Sequence, residues 1–243
     1  MSITTIVFDG YGTLIDTADG SVCATRDILR KRGSMLDPTE VYARWKGYHK
    51  EIIAASPGFQ LEEAIFIEGL TRVYAEYGIS GNPREDVKVM MATLGVRKVF
   101  ADALPCVQWV GERFHVVIAS NTDTAPFEKD LHRNSLAVDR WFTSESLRAY
   151  KPHREFYDRM LKHLGRQPEG VVFVGDSIDA DVIGPKACGM SVIWLNRKQS
   201  CRPDVKNLIE ITGLAQIPDA LASLRQNAEQ DACSGRAAPA ADP

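Results

Sequence analysis

The sequence predicts an α/β fold, a doubly wound Rossmann-like parallel sheet carrying an inserted all-helical domain, and three observations predict it. Short apolar, β-branched runs recur along the chain and end in small or acidic residues. Helical patterns separate them, as in a sheet built from β-α units. The alternation breaks once, from Asp16 to about Gly95, where helical patterns follow one another without a convincing strand.

The first strand is read at Ile3–Phe8 and delivers Asp9 into Gly10-Tyr11-Gly12-Thr13. The glycines let the chain turn sharply and bring backbone amides close to an anion. The insert reads as helices over Ala24–Arg32, Pro38–Ala55, Leu61–Tyr77 and Arg84–Leu94, punctuated by Gly33, Pro57-Gly58 and Gly78 to Pro83. Met90, Met91, Phe66, Tyr74 and Tyr77 are expected in its core. The second core strand, His115–Ala119, ends in Ser120-Asn121. Lys151-Pro152 opens a helix over Glu155–Leu164. Val171–Val174 ends in Gly175-Asp176-Ser177, with Asp179 and Asp181 just beyond, and Ser191–Leu195 follows as a fourth strand. The expected division is a core of 1–15 and 96–226, an insert of 16–95, and a disordered tail of 227–243 rich in Ala, Pro, Gly, Ser and Asp.

Composition narrows the function classes. The chain has 243 residues, and 44% of them are hydrophobic, enough for a substantial core. A net charge of −3 gives no strong field for nucleic acid or an anionic membrane. No apolar run reaches the roughly 18 residues needed to span a bilayer. The start, Met-Ser-Ile-Thr-Thr, lacks signal-peptide character. The five cysteines form no CxxC pair, which favours reduced thiols and a cytoplasmic location. A small-molecule substrate is expected, and a homodimer stays open.

The polar residues at the strand ends point to nucleophilic chemistry. A carboxylate such as Asp9 can attack an electrophile and form an ester that water cleaves. Thr13 is read as orienting Asp9, or as a turn residue bonding its own backbone. Ser120 and Asn121 can hold an anionic group, or cap a helix. Lys151 would neutralise the carboxylates and the substrate's charge. Asp176 and Asp181 near Asp9 would repel one another unless a cation sits among them, and an oxygen-rich site suits Mg²⁺.

This ordered set of four motifs resembles the haloacid dehalogenase superfamily over Ile3 to about Trp194. The resemblance implies a hydrolase with a covalent intermediate at Asp9 and a helical cap over the site, hinged near Asp16–Gly20 and Thr93–Arg97. It also implies a metal held by Asp9, the carbonyl of Tyr11, Asp176 and, directly or through water, Asp181. Asp179 is the less favoured member.

The chain mixes two branches of that family. Phosphatases carry a second Asp, an acid and base, where this chain has Tyr11. The Asp-x-Tyr-Gly-Thr form looks like the 2-haloacid dehalogenases, which need no metal. Arg44, beside Trp45, lies near the place of their cap arginine, in reversed order, and Tyr157 matches a position they use. Tyr11, Arg44 and Tyr157 are therefore expected to touch substrate. Lys46 is only a stand-in for the cap lysine of phosphonoacetaldehyde hydrolases. Asp176 with Asp181 is the metal-binding form. The balance is Mg²⁺-dependent hydrolysis of a small organic phosphate. The alternatives are a metal-independent 2-haloacid dehalogenase and a catalytically weak protein that binds a phosphorylated ligand.

Overall fold

The computed structural model describes residues 3–234 apart from residue 57. Six parallel strands form its sheet: β1 (Thr5–Phe8), β4 (His115–Ser120), β5 (Arg140–Thr143), β6 (Val171–Gly175), β7 (Ser191–Leu195) and β8 (Ile209–Ile211). A separate ladder pairs β2 (Ile15–Asp16) with β3 (Lys98–Val99). The sheet order is β5-β4-β1-β6-β7-β8. Strand order therefore reverses at β1, which pairs with β4 on one side and β6 on the other. Ligands of open α/β sheets bind at such a switch point, beyond the carboxyl ends of the strands.

Both faces of the sheet are covered, which explains the near-continuous apolar runs. Alternation along β1 sends Ile6 and Phe8 to one face and Val7 to the other. The first face packs on α5 (Ala103–Gly111), α6 (Thr124–Arg133) and α10 (Ile217–Ser234) through Val107, Phe127 and Leu221. The second packs on α7 (Ser144–Leu147), α8 (Arg154–Leu164) and the turn before α9 (Gly184–Ala187), through Leu147, Phe156, Met160 and Val182.

The insert is α1 (Gly20–Lys31), α2 (Pro38–Ala55), α3 (Glu62–Tyr77) and α4 (Pro83–Met91). These helices bury an apolar cluster of their own, centred on Trp45, Leu70, Val73 and Met90. Tyr74 is buried there, while Phe66, Tyr77 and Met91 are partly buried against it. Asp86 is fully buried, yet Arg32 binds it in a two-pronged pair and Tyr74 donates to it. The β2–β3 ladder lies at the two crossings between sheet and insert.

Two expectations are corrected here. Helix α10 runs to Ser234, past residue 227 where a disordered tail was expected, because Ala, Glu and Gln in that stretch favour helix. Residues 235–243 lie outside the described residues. Strands β5 and β8 were not expected. Both are short and lie at the sheet edges, where an apolar run is not required.

Candidate active site

Asp9 follows the last residue of β1 and is held by its own backbone, whose N–H donates to the Val174 carbonyl at 2.8 Å. The turn beyond it needs Gly12, whose φ is +96° and whose Cβ position lies 2.8 Å from Asp176 Oδ2. Gly175, at the end of β6, likewise leaves room for the Asp181 carboxylate where a Cβ would collide. Backbone and carboxylates thus crowd one small space.

Three carboxylates meet there. Oxygens of Asp9, Asp176 and Asp181 lie within 4.8 Å of one another. Lys151, almost fully buried, donates to Asp9 Oδ1 at 2.8 Å, to Asp181 Oδ1 at 2.7 Å and to the Ala119 carbonyl at 2.9 Å. All three ammonium protons are therefore used. Burial pulls the Lys151 pKa down, but Asp181 and Asp9 outweigh it, and the net shift is upward. Asp181 Oδ2 accepts from the Ser177 N–H at 2.9 Å. Asp9 Oδ2 is buried with no hydrogen-bond partner.

Charge does not balance in this cluster. Three carboxylates against one ammonium leave an excess of two negative charges. Loss of hydration, then the charge of Asp9, pushes Asp176 up to about 6, although the residue is partly open to solvent. Burial pushes Asp181 up to about 7, against the pull of Lys151. The donor set is all oxygen and acidic, includes one orphaned buried oxygen, and fits a divalent cation such as Mg²⁺.

Other expected residues take different places. Thr13 is fully buried, but its hydroxyl finds no partner and makes no bond to Asp9. Asn121 does not present its amide to the cluster. It brackets Lys151, accepting from the Lys151 N–H and donating to the Lys151 carbonyl, both at 2.8 Å. Ser120 is buried and packs against Gly10. Tyr157 is fully buried beneath the site, its hydroxyl bound to the Ala180 carbonyl, and touches no open space. Arg44 is not brought to the site at all. It pairs with Glu76 and Tyr48 on the outside of the insert, because the apolar face of α2 turns Trp45 inward instead.

Tyr11 sends its phenol away from Asp9. It donates to Asp130 Oδ2 at 2.7 Å, and burial together with Asp130 holds its pKa well above the usual phenol value. Its ring still lines a cavity of about 200 Å³ between insert and sheet, along with Lys46, His49, Glu62, Phe66 and Arg97. His49 pairs with Glu62 at 2.9 Å. The sequence reading missed Asp130, His49, Glu62 and Arg97. The one available signal was Asp130, an acid one turn from Phe127 on the buried side of α6. Trp194 was also missed; its indole N–H donates to the Asp176 carbonyl at 3.0 Å and steadies the loop.

Comparison with known proteins follows the same lines. The sequence profile of haloacid dehalogenase-like hydrolases matches residues 3–189. The chain is 30% identical over 91 residues to the glyceraldehyde 3-phosphate phosphatase of Methanocaldococcus jannaschii, covering 37% of this chain and 40% of that protein. It is 32% identical over 84 residues to haloacetate dehalogenase H-2 of a Moraxella species, covering 34% and 37%. The chain thus spans about two fifths of the length of these relatives. Among solved structures, the magnesium-bound HAD-hydrolase YfnB of Bacillus subtilis superposes with a TM-score of 0.77 at 18% identity, covering 91% of this chain and all of that one. L-2-haloacid dehalogenase of Xanthobacter autotrophicus gives 0.70 at 18%, covering 90% and 98%. At such identities the superpositions show a shared fold.

Proposed function

The chain belongs to the haloacid dehalogenase-like hydrolases, and from that membership we propose that it hydrolyses a small organic phosphate with Mg²⁺, through an ester on Asp9. The observation that carries this reading is the uncompensated charge of the carboxylate cluster around an orphaned Asp9 oxygen. Asp9, Asp176, the Tyr11 carbonyl and Asp181 would hold the ion. When bound, it would offset the charge of the cluster and of the phosphoryl oxygens.

The chain's own groups perform the rest. Lys151 holds the Asp9 carboxylate through Oδ1, and that carboxylate is the group that attacks phosphorus. The bond from phosphorus to the leaving oxygen breaks as the bond to Asp9 forms. Water then attacks the phosphoryl ester, releasing phosphate and restoring the carboxylate. Asn121 keeps Lys151 in place through both backbone bonds. The helical insert serves as the cap that closes the site and excludes water.

A second reading, metal-free removal of halide from a 2-haloacid, is favoured by Tyr11 alone. A halide leaves without a proton, and the Tyr11 phenol, committed to Asp130, offers none. Arg44 lends this reading no support. Turnover of p-nitrophenyl phosphate and of 2-chloropropionate, with Mg²⁺ and after chelation, separates the two. Phosphate release that requires Mg²⁺ is expected; chloride release that survives chelation would replace the phosphatase reading.

A further inference from the structure

A cleft of about 620 Å³ lies beside the site, between α2 and the segment that follows β6. Its inner end is formed by Asn121, Lys151 and Ser177, and it abuts the catalytic cluster there, since Lys151 bonds to Asp9 and Asp181 and the Ser177 N–H to Asp181. Its floor is apolar, with Ile53, Pro152, Ile183 and Ala187. Ile183 is 49% exposed, an unusual state for a large aliphatic side chain beside a well-packed sheet. It ends a π-helical turn over Ile178–Ile183, a distortion that recurs at functional sites.

The rim has the opposite character. Lys46 and Lys50 stand one turn apart on the same face of α2, and Arg154 faces them from the start of α8. Among the described residues no carboxylate lies within 4 Å of Lys46 or Lys50, whereas Arg154 is paired with Asp158. Like charges at that spacing repel. Lys46 also lines the smaller cavity, and its charge reaches the Asp176 carboxyl. The one acid on the cleft wall is Asp179. An apolar floor under two unpaired cations complements a chain that is apolar along its length and anionic at its end.

We propose that this cleft holds the organic part of the substrate, an apolar chain whose distal anionic group is received by Lys46 and Lys50 while its phosphate lies at Asp9. The proposal rests on the phosphate-hydrolase reading. The two cations would then select for substrates charged at both ends, and the floor would select for the length of the chain between them.

Calorimetric titration of the full-length protein with Mg²⁺ present tests it, using two inert probes, hexylphosphonate and 6-phosphonohexanoate. The carboxylated chain is expected to bind at least tenfold more tightly. In a Lys46→Ala, Lys50→Ala variant that advantage should fall to about twofold or less, and Ile183→Asp should weaken both probes. Equal affinity for the two probes, or an advantage that survives the double substitution, would overturn the proposal. Hydrolysis of p-nitrophenyl phosphate, run alongside, separates the two levels. Phosphate release without discrimination between probes defeats the cleft assignment alone. Absence of both release and phosphonate binding defeats the phosphate reading and this proposal with it.

Discussion

The phenol of Tyr11 donates to Asp130 at 2.7 Å, and the same fully buried carboxylate accepts from the backbone N–H groups of Gly95 at 3.2 Å and Arg97 at 2.7 Å. One acid on α6 therefore ties the turn after the nucleophile to the chain returning from the insert. The guanidinium of Arg97 adds a second tie, lying over the Tyr11 ring at 5.4 Å and reaching the Thr17 carbonyl. Tyr11 stands where phosphatases of the family have their acid, but here it is a structural strut.

A strut and an acid predict different kinetics. Without a proton donor, turnover should favour leaving groups that depart as stable anions. Alkyl phosphates should react about 10²–10⁴-fold more slowly than p-nitrophenyl phosphate, the usual range of general-acid help. Tyr11→Phe should leave that dependence on leaving-group pKa unchanged. It should cost about 1–2 kcal/mol in urea unfolding, because Asp130 loses one donor. A Tyr11→Phe variant whose dependence steepens sharply would show that the phenol does give up a proton.

Asp176→Asn removes one of the two excess charges. In the absence of metal its thermal midpoint should rise, since burial and then repulsion from Asp9 already push Asp176 up to about 6. Added Mg²⁺ should stabilise the native chain measurably by mass action and this variant far less. Phosphate turnover should fall at least a hundredfold, roughly the lower bound for lost electrostatic stabilisation. An unchanged Mg²⁺ response in calorimetric scans would remove Asp176 from the ligand set.

How much of this was legible depends on what burial demands of each segment. Strands β1, β4, β6 and β7 lie inside a sheet covered on both faces, so Val, Ile and Phe fill them and the sequence displays it. Asp9, Lys151 and Asp176 were readable for a related reason: each stands at the end of an apolar run or just before a helix, with Asp181 in the turn after Asp176, and the switch point brings them together. The bond from Tyr11 to Asp130 spans 119 residues, and although each residue carries a local mark, nothing in the sequence pairs the two. Arg44 shows the converse failure. Its place beside Trp45 looked informative, but rotation of α2 about its axis decides which of the two faces inward, and the insert's apolar cluster takes Trp45.

Lys151 carries the electrostatic stability of the site. Lys151→Met would leave Asp9 and Asp181 buried without their cation, a loss of about 3–5 kcal/mol at neutral pH. The loss should shrink towards pH 5. Asp181 is already pushed up to about 7 with the lysine present, and without it protonates more readily still. A carboxyl whose folded pKa is raised takes up a proton on folding, so acid restores stability to the variant. Chemical denaturation at pH 7.5 and pH 5 measures this; a deficit that is equal at both values would mean that packing, not charge, holds Lys151 in place.

Asp123 gives a pH effect at the seam between insert and core. It precedes α6, and its Oδ1 accepts from the Glu62 N–H at 3.0 Å, the first residue of α3, so a core acid caps a helix of the insert. Burial first, then the charges of Glu62 and Glu145, raise its pKa to about 6 from 3.8. The native state therefore binds more proton than the unfolded chain between those values. This group's contribution makes folding less favourable as pH rises through about 4 to 6, with the full penalty above 6 and none below 4. Asp123→Asn keeps the acceptor for Glu62 and removes the charge. Its thermal midpoint relative to the native chain should accordingly increase from pH 4 to pH 7.5, by an amount Glu62→Gln should reduce, since that substitution already relieves part of the repulsion. Parallel curves for the native chain and Asp123→Asn across that range would mean that the carboxylate stays hydrated and that the seam carries no pH-dependent strain.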